Sequence, residues 1–135
     1  MSRVNRKTRD RVRTRAGFRC EYCRKPDAVS DYPPHVDHII ALKHGGASDL
    51  DNLAWACFQC NTAKSSDIAS YDRETLTIMP LFNPRLQRWD EHFEMNGAIM
   101  VGKTPTGRAT IQALLLNEPE PVAVRAALQG AGLWD

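Results

Sequence analysis

The sequence predicts an α+β protein: a strand–loop–strand–helix unit with a basic helix before it and a small α/β extension after it. Three observations predict this. Two Cys-x-x-Cys pairs, Cys20/Cys23 and Cys57/Cys60, bracket residues 24–56. Inside that bracket two short β-rich runs, 35–40 and 54–57, are separated by a turn-rich loop containing Gly45 and Gly46. On either side, good helix formers end at Gly17, and later segments open on Asn83-Pro84, Thr104-Pro105 and Glu120-Pro121.

A chain of 135 residues holds one domain with room for an appended piece. We divide it into a core with its basic helix (1–70) and an extension (71–135) expected to pack on that core. Its 42% hydrophobic and 25% charged residues suit a folded globular protein rather than a disordered one. No apolar run approaches the roughly 18 residues that a membrane span requires. The charged N-terminus lacks a signal-peptide hydrophobic region, so a cytoplasmic location is expected. In a reducing compartment four cysteines favour a metal over disulfides. Two Cys-x-x-Cys pairs make one tetrahedral Zn²⁺ site, each pair wrapping one edge of the tetrahedron.

The net charge of +2 hides an asymmetry. Residues 1–25 carry ten Lys/Arg against two acids, whereas 26–64 and 65–135 are each net acidic. A basic arm beside a nearly neutral body suggests a polyanion, with nucleic acid as the default partner. The helix is expected over residues 5–16, its apolar stripe thinned to Val12 and Ala16. Arg3, Arg6, Lys7, Arg9, Arg11, Arg13, Arg15 and Arg19 are the candidate phosphate ligands; a merely solvated basic helix is the bland alternative.

The first cysteine pair forms a knuckle that Phe18 and Tyr22 are expected to cover with apolar surface. Residues 24–34 read as loop, 35–40 as the first strand, 54–57 as the second, and 61–69 as a helix. Beyond it, Leu76, Ile78 and Leu81 suggest a strand. Asn83-Pro84 opens a helix carrying Leu86, Trp89 and Phe93. Asn96-Gly97 turns a hairpin, and two helices follow, the last ending near Gly130.

The zinc pairs frame a carboxylate, an imidazole and a carboxamide: Asp37, His38 and Asn61. A hard divalent ion takes oxygen ligands and keeps several waters, which suits Asp37 and Asn61. Imidazole exchanges protons near neutral pH, which suits His38 as general base. Lys64, one turn after Asn61, is expected to contact a phosphate. His35, two residues before Asp37 on the strand, is a further candidate metal ligand; the plainer reading is an exposed strand residue. His44 is either a phosphate contact or a solvated loop residue, and His92 is structural.

Val36-Asp37-His38-Ile39, Gly45-Gly46, Asn52-Leu53 and Cys57-x-x-Cys60-Asn61-x-x-Lys64 together resemble the HNH endonucleases, the ββα-metal nucleases, in the zinc-stapled H-N-N variant. The resemblance implies that Asp37 and Asn61 hold a catalytic Mg²⁺ or Mn²⁺ and that His38 activates water. It implies that Asn52 braces the loop, and that cleavage of DNA, expected to be double-stranded, leaves 5′-phosphate and 3′-hydroxyl ends. Strict strand alternation would put Asp37 and His38 on opposite faces; the bend that brings them to one site is implied by the resemblance alone. A proline common after this segment in the family is replaced by Ala41. Segments of residues 81–110 (LFNPR, W-x-x-H-F, TPTGRAT) are similar to an extension on some bacterial members, without an assigned role. Cutting both strands would need a homodimer or two visits. A zinc-stapled nucleic-acid-binding module without catalysis is the alternative, and a structural or redox cysteine protein a weaker one.

Overall fold

The computed structural model describes residues 4–134; Arg3 lies outside them. Helix α1 (Arg6–Arg15) is capped by Asn5, whose side chain accepts from the Thr8 N–H at 2.8 Å, and Gly17 at φ +68° ends it. Val12, its only buried residue, packs against Leu53 and Trp55, with Val4 and Ala16 at the edge. The thin stripe is therefore enough to dock the helix.

Strand β1 (His35–His38) pairs antiparallel with β2 (Leu53–Ala56), His38 opposite Leu53. Helix α2 (Phe58–Lys64) follows, three residues earlier than the sequence suggests. Cys57 caps it, its Sγ accepting from the Cys60 N–H at 3.4 Å, and the left-handed Ser65 (φ +50°) stops it. The stretch expected to continue the helix instead enters a hairpin, β3 (Ala69–Asp72) with β4 (Thr77–Pro80), whose turn holds Leu76 at φ +59°.

The helix expected after Asn83-Pro84 is only a turn. The Asn83 side chain accepts from the Arg85 N–H, and its own N–H donates to Gln87 Oε1, so these bonds close locally. A one-turn helix, α3 (Trp89–His92), precedes the hairpin β5 (Phe93–Asn96) and β6 (Ile99–Gly102), which turns through Asn96-Gly97 with Gly97 at φ +61°. Helix α4 (Pro105–Ala113) is capped by the Thr104 hydroxyl on the Gly107 N–H, and α5 (Pro119–Gly130) starts slightly earlier than the sequence suggests. No helix among the described residues is long and apolar enough to cross a membrane.

Among the described residues no sheet exceeds two strands, so packing between elements carries the fold. One buried cluster joins the four cysteines, Tyr22, Ile39, Ala54 and Ala56 to Leu81, Phe82, Phe93, Met100, Leu114, Leu116 and Trp134. Polar struts reinforce it. Arg85 reaches Glu21 and the Leu53 carbonyl, and Trp89 Nε1 donates to the Tyr22 carbonyl at 2.9 Å.

Asp72 joins the β3–β4 hairpin to α4. It accepts a bidentate pair from Arg108 (2.9 and 3.1 Å) and a bond from the Thr75 hydroxyl (2.6 Å). Arg108 first, then Thr75, holds its carboxyl well below the usual range. A depressed carboxyl contributes stability above its unfolded value of about 3.9, and the contribution is lost as pH falls through the folded value. Melting followed by circular dichroism should therefore show the midpoint dropping below about pH 4. Asp72→Asn should lower the midpoint at pH 7 and flatten that acid decline.

Candidate functional site

The four cysteines converge although 33 residues separate the two pairs in the chain. All are free and buried, and their sulfurs lie within 4.8 Å of one another. A tetrahedron with metal–sulfur bonds of about 2.3 Å has edges of about 3.8 Å; Cys23 Sγ and Cys57 Sγ stand 3.7 Å apart. Backbone N–H groups of Tyr22 and Cys23 point at Cys20 Sγ, each at 3.4 Å, as does that of Cys60 at Cys57 Sγ. Hydrogen bonds within the cluster, those with Cys20 first, push the Cys57 thiol far down and those of Cys23 and Cys60 well up. Four buried thiols cannot all ionise unaided, and a divalent cation supplies the missing charge. The donor set thus fits Zn²⁺.

Phe18 is not a cover for this centre: it is 49% exposed, with the Arg13 guanidinium 4.8 Å from its ring. Tyr22 is buried but does more than pack. Its hydroxyl donates to Asp37 Oδ2 at 2.7 Å. Burial, then Asp37, pushes the phenol well above its ordinary range, so the proton stays available to donate.

Asp37 is 4% exposed on the inward face of β1. Besides Tyr22, it meets the Lys64 ammonium, 3.3 Å from Oδ1 and 3.2 Å from Oδ2. Burial pushes its carboxyl up, against the pull of Lys64, Tyr22 and His38. Lys64 also donates to the carbonyls of His38 (3.2 Å) and Ile39 (3.1 Å) and is 1% exposed. The expectation that Lys64 meets a substrate phosphate is thereby corrected: it is an internal strut. The sequence did carry a signal, because Lys64 lies one turn after Cys60, and the face that carries a zinc cysteine inward carries Lys64 with it.

His38, the last residue of β1, is half-buried with Nε2 2.9 Å from Ser48 Oγ. Sequence reasoning missed Ser48, whose partner is ten residues away across the loop. Asn61 is half-buried on α2, and its carboxamide has no hydrogen-bond partner among the described residues. His35 opens the strand, is exposed, and its ring centroid lies 6.0 Å from that of Phe58.

Asn52 ties the loop to itself. Its Nδ2 donates to the carbonyls of Ile40 (2.9 Å) and Ala47 (2.8 Å), and its Oδ1 accepts from the Ile40 N–H (2.9 Å). Gly46 makes this approach feasible, since a Cβ there would stand 1.8 Å from the Ile40 carbonyl oxygen and 2.8 Å from Asn52 Nδ2.

The basic arm divides. Arg9 donates to the Pro34 carbonyl and sits 4.7 Å over the Trp55 ring; Arg13 pairs with Asp27 at 3.0 Å. Arg15 bonds the carbonyls of Leu50 and Leu53, and Arg19 that of Arg24. These four dock the helix and the knuckle, contrary to a purely phosphate-binding role. Arg6, Lys7 and Arg11 are exposed, with no ion-pair or hydrogen-bond partner among the described residues.

The family model of the HNH endonucleases matches residues 20–67, from the first zinc cysteine to just past α2. Neither the curated proteins nor the solved structures offer a match.

Removing Lys64 leaves a buried carboxylate without its cation. Lys64→Met should cost about 3–5 kcal/mol of unfolding free energy, read by urea denaturation of zinc-loaded protein without added magnesium. A surface phosphate contact would cost almost nothing in that measurement.

Proposed function

We propose, from the match of residues 20–67 to the family model of the HNH endonucleases, that the protein is a metal-dependent DNA endonuclease that hydrolyses phosphodiester bonds to 5′-phosphate and 3′-hydroxyl ends. The observation that carries the reading is the end of β1. There His38 keeps a partly open imidazole with its ring held by Ser48 and its backbone held by Lys64, next in sequence to the buried Asp37.

Asp37 and Asn61 would hold Mg²⁺ or Mn²⁺, whose charge offsets that on the non-bridging and leaving oxygens of the phosphodiester. The donor set suits such an ion: one carboxylate, already drawing a cation in Lys64, and one carboxamide without another partner. Tyr22 and Lys64 support Asp37 in its charged form. His38 takes the proton of the attacking water, and the Ser48 hydroxyl on Nε2 holds the ring plane while it does so. Asn52 keeps the intervening loop closed, so that Ser48 stays within reach of His38.

Purified protein with supercoiled plasmid and Mn²⁺ or Mg²⁺ should yield nicked or linear DNA, and EDTA should stop it. His38→Ala should slow cleavage at least about 100-fold with zinc content unchanged; cleavage at the wild-type rate would remove His38 as the base. Ser48→Ala should slow it less. The ratio of nicked to linear product tests whether a dimer acts on both strands.

The second reading, a zinc-stapled nucleic-acid-binding module, is favoured by Arg6, Lys7 and Arg11, which need no catalytic step to serve DNA. Neutralising these three should flatten the log–log salt dependence of DNA affinity by about 2–3, near 0.9 per phosphate lost. Arg9→Ala and Arg15→Ala should instead act first on the melting temperature.

A further inference from the structure

Helix α5 carries a buried charge that no carboxylate among the described residues pairs with. Arg125 of α5 is 2% exposed. Its guanidinium donates to the carbonyls of Ala98 (2.5 Å) and Leu116 (3.0 Å) and lies 5.4 Å from the Trp134 ring. Those partners are neutral. Among the described residues no carboxylate pairs with Arg125, and its Nε is the one buried side-chain nitrogen or oxygen without a partner.

A buried cation without a counter-charge is strongly disfavoured. Burial pushes the Arg125 guanidinium down, and Cys23, then Cys60 and Cys57, oppose that effect. Cys23, Cys57, Trp134 and Arg125 border one cavity of about 780 Å³ between α2 and α5, and Trp134 belongs to the same buried cluster as all four cysteines. Asp31, Glu118 and Glu120 also line this cavity, but none forms an ion pair with Arg125 among the described residues. Zn²⁺ on four thiolates leaves a net charge of 2−, itself costly in an apolar setting. Each buried charge therefore relieves the other.

We propose that Arg125 is the counter-charge of the zinc–tetrathiolate centre, so that zinc holds the C-terminal helix on the HNH domain and that helix in turn retains the zinc. By linkage the effect is equal in both directions: the factor by which Arg125 tightens zinc is the factor by which zinc tightens the seating of α5. An arginine suits the position because its planar fork can reach two carbonyls and stack on an indole while keeping its charge when buried.

The test uses full-length protein and a chelating dye that competes for zinc, with no nuclease assay. Arg125→Met and Arg125→Gln remove the charge; the glutamine keeps a donor for the carbonyls of Ala98 and Leu116. Arg125→Lys keeps the charge without the fork. The neutral variants should bind zinc about 10-fold or more weakly than wild type, in the range found for groups just outside a metal's own ligands, and the lysine variant should lie nearer wild type. If the methionine variant does not fold, the glutamine variant decides. With Co²⁺ in place of zinc, the thiolate-to-metal charge-transfer band should shift in the neutral variants. Zinc affinity equal to wild type in Arg125→Gln, or losses as large in Arg125→Lys as in Arg125→Gln, would overturn the proposal. Either result would leave the nuclease reading untouched.

Discussion

Four thiols meeting in one place are the constraint on which the rest of this structure depends. Three two-stranded hairpins and five helices, the longest of 12 residues, offer little cooperative backbone bonding among the described residues. What sets the first knuckle against α2 is the approach of Cys20 and Cys23 to Cys57 and Cys60. That approach seats β2 between them and β1 alongside. It also turns the Cys60 face of α2 inward, which carries Lys64 under Asp37. A four-cysteine centre of this kind does for a short segment what a larger apolar core does elsewhere.

The charged residues have three fates, set by how each is neutralised. Asp37 and Lys64 form a buried pair whose value lies in specificity of placement: Lys64 pins the carbonyls of His38 and Ile39, where the strand ends. Buried pairs of this kind are weak as net stabilisers and costly to break. Asp72 and Arg108 form a second pair that joins a hairpin to α4. Arg125 has no carboxylate partner among the described residues, and the four-cysteine cluster is the counter-charge we propose for it. In each case a strongly interacting group links segments that are distant in sequence.

The basic arm shows why counting charge is a poor guide to binding. Arginine's fork makes it as useful for docking carbonyls and aromatic faces as for meeting phosphates. Arg9, Arg13 and Arg15 are engaged in this way, and Arg6, Lys7 and Arg11 are left outward. The outward part of the basic arm is accordingly narrower than the sequence implies, and it falls within residues 6–11.

By itself the sequence determined the parts whose chemistry is local. The two Cys-x-x-Cys pairs define a metal centre by spacing. Asn5 and Gly17 bound α1, Thr104-Pro105 opens α4, and Asn96-Gly97 turns its hairpin, because caps and turns are settled within a few residues. The motif from Asp37 to Lys64 likewise carries the likeness to the HNH endonucleases, whose family model matches residues 20–67. Only the tertiary structure decided which way those residues face. Lys64 is buried because it follows Cys60 by one turn, and Tyr22 meets Asp37 because the knuckle folds over β1. The Asn83 segment stays a turn because its side-chain bonds close locally, whereas Arg85 and Trp89 reach back to the knuckle. The Tyr22, Lys64 and Trp89 contacts join partners 15 to 67 residues apart in the chain, and a local pattern carries no record of a partner at that distance.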